Sequence, residues 1–296
     1  MENKIKLPFA IKNGELISIF DVESGKQKDC FCPCCGSVVI ARIGNKNVPH
    51  FAHSSACNFG LQTALHLKAK EILSNSKSIF LPALFARDYQ LHDALEIELS
   101  EVYLEKKTGN IVPDIIVVSK GRKLFIEIAV THFSNVRKII EMEKLGIGGI
   151  EIDLSAYFTD SSEYTKTFFT ETLPSLIINN INCKRWLFSP KREFFYKEMK
   201  SISHKKQSIW IKGSDFNYVD DCPLNKRIWK SGYKEGKSYA NSEYDCPKCP
   251  NLFTIENKQK DMGAGISYSQ PFPEYVYCMG NKEKEFDAFL KKWKVK

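Results

Sequence analysis

Two apolar segments joined by a short link constrain the fold of this chain more than any other feature. The first reads VPDIIVV over residues 112–118 and the second reads LFIEIAVTH over residues 124–132, with SKGRK between them. Apolar, β-branched runs around a short glycine-containing link predict an antiparallel hairpin. Each strand carries one acid, Asp114 or Glu127. Because a buried charge is costly unless it is paired or binds a cation, these acids need a partner.

The two acids are expected to meet at one end of this hairpin. Twelve residues separate Asp114 from Glu127, and the link lies roughly midway between them. Antiparallel pairing about such a link brings the two side chains close together. Two converging carboxylates suit Mg²⁺, which keeps its other positions for water and phosphate oxygens. The sequence therefore predicts Mg²⁺, or Mn²⁺ in its place, at this pair.

The segments around the hairpin predict an α/β protein with a mixed central sheet flanked by helices. LQTALHLKAKEILSN has its apolar residues at helical spacing and predicts a helix over residues 61–75. FSNVRKIIEMEKLG predicts a second helix, with Ser134 as its N-cap and Gly146 as its stop. ALEIELSEVYLE and GGIEIDLSAYF are read as further strands, and SSEYTKTFFTETL as a further helix.

Cysteine and histidine residues near the N-terminus have the spacing of a structural zinc site. CFCPCCG is followed by VVIARIGNKNVPHFAH, which is read as a hairpin that turns at Gly44–Asn45, and then by a further cysteine. Cysteines two residues apart let one tight turn present two thiolates to a tetrahedral Zn²⁺ ion. The predicted ligands are Cys32, Cys35, His53 and Cys57. The alternatives are His50 in the histidine–cysteine half and Cys30 in the cysteine turn.

Four cysteines in the last third of the chain form a wider pattern. Cys246 and Cys249 lie in CPKC, whereas Cys222 upstream and Cys278 downstream each stand alone, well separated from this pair along the chain. The pattern predicts a second Zn²⁺ site in a zinc-ribbon-like module. The alternative is a set of buried free cysteines.

Positive charge is concentrated in one stretch. The formal net charge is +8, and residues 184–237 hold 14 Lys/Arg against 6 Asp/Glu, interleaved with ten aromatic residues. Basic and aromatic side chains together can follow a phosphate backbone and stack on bases. We therefore expect this stretch to contact nucleic acid. The alternative is a solvated surface above ordinary core aromatics.

The distribution of apolar residues gives no sign of export or membrane insertion. The N-terminus lacks the apolar run of a signal peptide, and no stretch approaches the roughly 18 apolar residues of a membrane span. We therefore expect a cytoplasmic protein without a membrane partner. In a reducing compartment, closely spaced cysteines and histidines favour metal binding over disulfides.

The hairpin resembles the core of the PD-(D/E)XK nucleases. Pro113–Asp114 and Glu127-Ile128-Ala129 match the signature, with Ala129 at the position of its lysine. The resemblance implies that Asp114 and Glu127 bind Mg²⁺, which activates water and stabilises charge on the scissile phosphate. His66 and His132 are the candidates to replace the absent lysine, as general base or as a charge stabiliser.

Read together, CFCPCCG, HFAH, TALHLKAKEIL and EIAVTHF resemble the competence protein CoiA-like family over about residues 7–155. The family implies a restriction-endonuclease-like core behind an N-terminal zinc finger. Gln62 and Val112 depart from the glutamate and arginine usual in such sequences. The implied division is an N-terminal zinc-finger domain (1–58), a PD-(D/E)XK nuclease-like domain (59–190) and a basic, aromatic-rich C-terminal region (191–296).

The function implied by this resemblance is that of a metal-dependent DNA endonuclease, with the DNA held by the zinc modules and the basic C-terminal region. One alternative is a nucleic-acid-binding or recombination-assisting factor whose nuclease core has lost catalysis, as Ala129, Gln62 and Val112 favour. Another is a zinc-stabilised protein-interaction module. The sequence leaves open whether the DNA is single- or double-stranded, and whether a homodimer or another protein partner forms.

Overall fold

The protein divides into two compact units. The computed structural model describes residues 6–44, 47–53, 57, 59–158, 164–211, 216–258 and 272–294, and for residues 26–28, 258 and 272 it describes the backbone alone. The core unit comprises residues 1–84 and 92–190, and the C-terminal unit comprises residues 85–91 and 191–296. Along the described ranges, no helix has both the length and the apolar character needed to cross a membrane.

The core unit begins with an antiparallel sheet of five strands in the order β2-β1-β3-β4-β5. The strands are β1 Phe9–Lys12, β2 Glu15–Ser18, β3 Gly25–Phe31, β4 Val38–Gly44 and β5 Asn47–His53. The predicted hairpin is confirmed, since β4 and β5 pair in antiparallel register with Val39 opposite His53. Asn45, predicted in its turn, lies outside the described residues.

Helix α1, Gly60–Ser74, follows this sheet and confirms the helix predicted over residues 61–75. Its residues Ala64, Leu65, Ala69 and Leu73 are buried at helical spacing. They belong to one hydrophobic cluster that extends from the N-terminal sheet to the central sheet. The apolar face of α1 therefore joins the two sheets of the core unit.

The central sheet is mixed and has the strand order β10-β11-β12-β13-β14. Its strands are β10 Glu101–Leu104, β11 Ile115–Ser119, β12 Arg122–Ala129, β13 Gly148–Asp153 and β14 Lys184–Phe188. Only the β12–β13 pair is parallel. The predicted hairpin is confirmed: β11 and β12 pair in antiparallel register through Lys120 and Gly121, both at positive φ, as a tight two-residue turn requires.

Helix α2, Val136–Leu145, forms the crossover between the parallel strands β12 and β13. Gly146 ends it in the left-handed conformation, as predicted. The predicted N-cap Ser134 is wrong. Asn135 caps the helix by accepting a hydrogen bond from the Lys138 N–H at 3.0 Å, whereas the Ser134 N–H donates to Glu151 Oε1 at 2.6 Å.

The segment ALEIELSEVYLE, predicted as one strand, forms two. β9, Leu95–Glu98, pairs with β6, Ser78–Leu81, whereas β10 pairs with β11. The break follows from the backbone hydrogen bonds, because the N–H of Leu99 donates to Lys77 and that of the adjacent Ser100 donates to Val118.

The last helical part of the core unit begins later than predicted. Residues 161–163, at the start of the predicted helix SSEYTKTFFTETL, lie outside the described residues. A 3-10 turn covers Ser155–Phe158, a π-helical turn covers Phe168–Thr172, and α3 covers Leu173–Ile178. Phe168 and Phe169 are buried in the hydrophobic cluster of the core unit.

In its described residues the C-terminal unit has two small sheets and two helices, and a separate two-stranded sheet is formed by β7, Leu84–Ala86, and β8, Tyr89–His92. One small sheet has the order β15-β21-β20 and the other β16-β17-β19-β18. These elements are α4 Pro190–Ile202, β15 His204–Gln207, β16 Ile209–Trp210, β17 Asn217–Asp220, β18 Arg227–Ile228, β19 Ser238–Asn241, β20 Leu252–Lys258, β21 Phe272–Cys278 and α5 Glu283–Trp293.

Substitution of two adjacent glycines of β13 tests the packing of α2 on the central sheet. A Cβ built on Gly149 would lie under 3.0 Å from the sulfur of the buried Met142, whereas one on Gly148 would make an ordinary contact of 3.4 Å with Leu124. We expect Gly149→Ala to lower the free energy of unfolding by about 1–3 kcal/mol because the site is overpacked. Gly148→Ala should cost clearly less. Urea unfolding measures both, and equal effects would contradict this packing.

Candidate functional site

Four metal-ligand side chains converge between the N-terminal sheet and α1. The group consists of Cys32, Cys35, His53 and Cys57, and its ligand atoms all lie within 4.8 Å of one another. We call it the N-terminal cluster. The β3–β4 turn is closed by two backbone hydrogen bonds, from Cys32 to Ser37 at 2.8 Å and from Gly36 to Cys32 at 3.0 Å. The structure thus brings together the four predicted ligands.

The donor atoms of the N-terminal cluster fit a tetrahedral zinc ion. His53 Nε2 is buried and has no hydrogen-bond partner, which is unusual for a polar atom unless it binds an ion. Cys32 Sγ and Cys57 Sγ are 3.9 Å apart, close to the roughly 3.8 Å edge of a tetrahedron with Zn–S bonds of about 2.3 Å. Three thiolates and one imidazole form a common structural zinc site.

The alternative ligands lie in other environments. His50 Nδ1 is 2.8 Å from the Val48 carbonyl oxygen, and Cys30 is buried beside Asp29. Cys34 is exposed.

Ionisation of the cluster thiols couples zinc binding to pH. Burial raises the pKa of the Cys32 thiol and raises the pKa of Cys57 to about 12. Hydrogen bonds from Ser37 lower the pKa of Cys35 to about 6. Zinc binds thiolates, so binding must displace protons from Cys32 and Cys57, and zinc affinity is expected to fall as the pH falls.

The two predicted acids lie side by side at the end of the β11–β12 hairpin. Asp114 directly precedes β11, and the register pairs the next residue, Ile115, with Ile126. Asp114 Oδ2 accepts a hydrogen bond from the Ile128 N–H at 2.9 Å, one residue beyond Glu127. The side chain of Glu127 is buried, with 4% of its surface exposed. The hairpin therefore holds both carboxylates at one point of the sheet.

Two lysines and a histidine surround these carboxylates. Lys138 Nζ, on α2, lies 2.5 Å from Glu127 Oε2. Lys70 Nζ, on α1, lies 3.4 Å from Asp114 Oδ1 and 2.8 Å from Glu105 Oε1. His66 Nδ1, one helical turn before Lys70, lies 3.9 Å from Asp114 Oδ2. We call Asp114, Glu127, Lys138, Lys70 and His66 the carboxylate site.

Lys70 was not among the site residues predicted from the sequence. Its signal was the four-residue spacing from His66, which places both side chains on one face of a helix. The burial of its side chain was not expected, because lysines are seldom buried unless they are paired.

The environment of Glu127 is unfavourable for an isolated charged carboxylate. Burial, reinforced by the charge of Asp114, raises the pKa of Glu127 to about 7, although Lys138 opposes this shift. Glu127 Oε1 is buried and has no hydrogen-bond partner. A divalent ion shared with Asp114 would provide that partner and favour the charged carboxylate. Burial lowers the pKa of His66, which favours its neutral imidazole form.

His132 has different contacts from those expected of a catalytic base. It is exposed, and its Nδ1 lies 2.8 Å from Thr131 Oγ1. The Thr131 hydroxyl donates to Gln62 Oε1 at 2.7 Å. The described contacts of His132 therefore lead to Gln62 and not to either carboxylate.

The acids of the next strand have structural partners. Glu151 accepts from the Ser134 N–H and pairs with Arg185, whose Nε lies 2.7 Å from Glu151 Oε2. Asp153 Oδ1 accepts from the N–H and hydroxyl of Ser155 at 2.9 and 2.6 Å. Both acids therefore hold backbone N–H groups in place, Glu151 that of Ser134 and Asp153 that of Ser155.

The basic, aromatic-rich region uses its aromatic side chains in two ways. Phe195 packs at 5.1 Å, between ring centroids, against both Phe289 and Trp293 within the C-terminal unit. Tyr233 and Trp210 are instead exposed, at 90% and 56%. Core packing thus accounts for some of the predicted aromatic residues and leaves others at the surface. The four predicted ligands Cys222, Cys246, Cys249 and Cys278 line one cavity of this unit.

Residues 19–60 match the family model of the competence protein CoiA N-terminal domain. The chain is similar to this domain over those residues. The resemblance to the CoiA-like family predicted from the sequence motifs is confirmed over these residues, which contain the whole N-terminal cluster. The CoiA match ends before Asp114 and Glu127. No curated protein and no solved structure matched the chain.

Substitution of neighbouring cysteines in the β3–β4 turn tests whether the N-terminal cluster binds zinc. We expect Cys35→Ser to remove about one equivalent of zinc per chain and to lower the melting temperature, because a structural zinc contributes directly to folding. Cys34→Ser is the control, since Cys34 lies in the same turn but outside the cluster. Elemental analysis and thermal unfolding measure both effects. Equal zinc content in the two variants would contradict the assignment.

The raised pKa of Glu127 predicts how stability depends on pH. The pKa of about 7 in the folded protein lies above the ordinary 4.5, so the folded state retains a proton that the unfolded state loses between these values. The contribution of Glu127 to the free energy of unfolding is therefore fully present below pH 4.5 and is lost as the pH rises through 7. The loss amounts to roughly 3 kcal/mol, since each unit of pKa difference corresponds to about 1.4 kcal/mol.

Urea unfolding from pH 4.5 to pH 8 measures this dependence. Glu127→Gln should flatten the profile, whereas the exposed Glu143→Gln should leave it unchanged. Stabilisation by Mg²⁺ should increase across the same range, because the cation binds the charged carboxylate. A Mg²⁺ effect that is the same at pH 5 and pH 8 would contradict binding at Glu127.

Proposed function

We propose that the protein is a metal-dependent DNA endonuclease that hydrolyses phosphodiester bonds with a PD-(D/E)XK-type, restriction-endonuclease-like core. The observation that carries the proposal is the pairing of Asp114 with the buried Glu127, whose Oε1 has no hydrogen-bond partner. The proposal is further supported by the mixed sheet and by the lysines that α1 and α2 place beside the two carboxylates.

Asp114 and Glu127 are the residues that would hold Mg²⁺ or Mn²⁺. When bound there, the cation would supply a Lewis acid that activates water and stabilises charge on the scissile phosphate. The Ile128 N–H fixes the orientation of Asp114, and Lys138 fixes that of Glu127. This arrangement holds the carboxylates in place before any substrate arrives.

Lys138 is our candidate for the role of the missing lysine. Ala129, at the lysine position of the motif, is buried and carries no donor. Lys138 brings its ammonium group to Glu127 from α2 instead, at 2.5 Å. There it can orient water or neutralise a phosphate oxygen through its three N–H donors.

Of the two histidine candidates, His66 has the stronger support as general base. It lies 3.9 Å from Asp114 Oδ2, and burial favours the neutral form that accepts a proton. The contacts of His132 with Thr131 favour a structural role.

DNA would be held by positive charge outside the carboxylate site. The basic, aromatic-rich region carries exposed Trp210 and Tyr233, which suit stacking on bases. The N-terminal zinc module would provide a second contact. A second candidate function is a nucleic-acid-binding or recombination-assisting factor without catalysis. The buried Ala129 at the motif's lysine position favours this candidate.

Nicking of plasmid DNA tests the proposal. With Mg²⁺ or Mn²⁺ we expect cleavage that Asp114→Asn and Glu127→Gln each reduce by at least about 100-fold, because each removes a metal ligand. Lys138→Met should reduce cleavage by about 10- to 100-fold. Lys144→Met is the control, since Lys144 lies on the same helix but pairs with Glu141. Single-stranded DNA, duplex DNA and RNA substrates define the preference.

DNA binding measured in parallel separates the two candidate functions. Salt-sensitive binding that survives both carboxylate substitutions, with no cleavage by any variant, would support the non-catalytic factor. Full activity of either carboxylate variant would contradict the nuclease assignment. Absence of both binding and cleavage would contradict both functions.

A further inference from the structure

Four cysteines of the C-terminal unit converge from three separate segments of the chain. Cys222 follows β17, Cys246 and Cys249 lie between β19 and β20, and Cys278 ends β21. All four line the same cavity, whose volume of about 30 Å³ can hold one small ion or a water molecule. All four are free thiols. The fold therefore gathers into one cavity side chains that are far apart in the sequence.

Tight backbone turns orient three of these cysteines. The Asn225 N–H donates to the Cys222 carbonyl at 2.9 Å, and the Cys249 N–H donates to the Cys246 carbonyl at 3.0 Å. Cys278 stands opposite Leu252, which itself donates to the Cys249 carbonyl at 3.1 Å. The CPKC turn and Cys278 are thus held next to each other by the β20–β21 ladder.

The surroundings of the four thiols combine an apolar core with nearby positive charge. Val219, Ala240 and Val276 pack with the buried Cys222 and Cys246. Lys206, Lys226 and Asp245 also line the cavity, and Asp245 is paired with Arg227 at 2.6 Å. A zinc ion with four thiolates carries a net charge of about −2, which two lysines can offset.

The Gly280 N–H donates a hydrogen bond to the Cys278 sulfur. Such N–H donation to sulfur also occurs in the N-terminal cluster, where the Cys34 N–H lies 3.4 Å from Cys32 Sγ.

We infer that Cys222, Cys246, Cys249 and Cys278 form a second zinc site that links the two small sheets of the C-terminal unit. Four sulfur ligands in one cavity suit tetrahedral Zn²⁺. Among the described residues, only the N-terminal cluster has its ligand atoms within 4.8 Å of one another, so the C-terminal sulfurs would draw together on the ion.

The inferred site has a structural purpose. Cys222 extends from the sheet of β16 to β19, whereas Cys278 belongs to the sheet of β15, β20 and β21. The buried residues shared by these sheets are few: Val219, Cys222, Ala240, Cys246 and Val276. Small cores commonly need a metal or disulfide link for stability. This inference does not depend on the nuclease proposal.

Zinc content of the full-length protein tests the inference. We expect two equivalents of zinc per wild-type chain and one equivalent in Cys249→Ser and in Cys278→Ser. Cys183→Ser is the control, because that buried thiol donates to carbonyl oxygens of Leu176 and Asn180 in the core unit. Cys35→Ser should lose the other equivalent, and Cys35→Ser with Cys249→Ser should lose both.

A second measurement guards against variants that fail to fold. Cys35→Ser protein reconstituted with Co²⁺ should show the absorption of a tetrahedral four-thiolate site, since its C-terminal ligands are intact. One zinc equivalent in the wild-type protein, iron in place of zinc, or a disulfide found by thiol titration under denaturing conditions would each overturn the inference. So would two equivalents retained by both C-terminal variants.

Discussion

The ion pair between the buried Glu127 carboxylate and Lys138 joins helix α2 to the central sheet of the core unit. A charge at the centre of an apolar strand is tolerated only with a partner, and Lys138 provides one at 2.5 Å from helix α2. Since α2 is the crossover between the parallel strands β12 and β13, this pair also fixes the helix on the sheet. The negative charge of Asp114 makes ionisation of Glu127 less favourable, so the two carboxylates together require positive charge nearby.

Helix α1 connects the two candidate metal sites of the core unit. It begins at Gly60, where a Cβ would lie 3.4 Å from Cys57 Sγ, and two turns later it presents His66 and Lys70 to Asp114. A zinc ion in the N-terminal cluster would hold the start of this helix in place. Local order at the cysteine cluster is therefore expected to support the position of the side chains around Asp114.

Much of the local structure was predictable because it depends on residues close in sequence. Apolar spacing identified α1, the link around Gly121 identified the β11–β12 hairpin, and Gly146 identified the end of α2. Errors arose where a distant residue decided the outcome. Glu151 takes the Ser134 N–H, so Asn135 becomes the N-cap, and separate hydrogen-bond partners divide β9 from β10.

The sequence by itself determined which chemical groups exist and their spacing: two acids on a hairpin, and cysteines and histidines spaced for metal binding. The tertiary structure decided which groups meet. Lys70 approaches Asp114 from a helix that is distant in the sequence, and Cys222 shares a cavity with Cys278, which is also distant in the sequence. Periodicity and spacing describe only neighbours along the chain, whereas such contacts are set by how whole helices and sheets pack to bury their apolar faces.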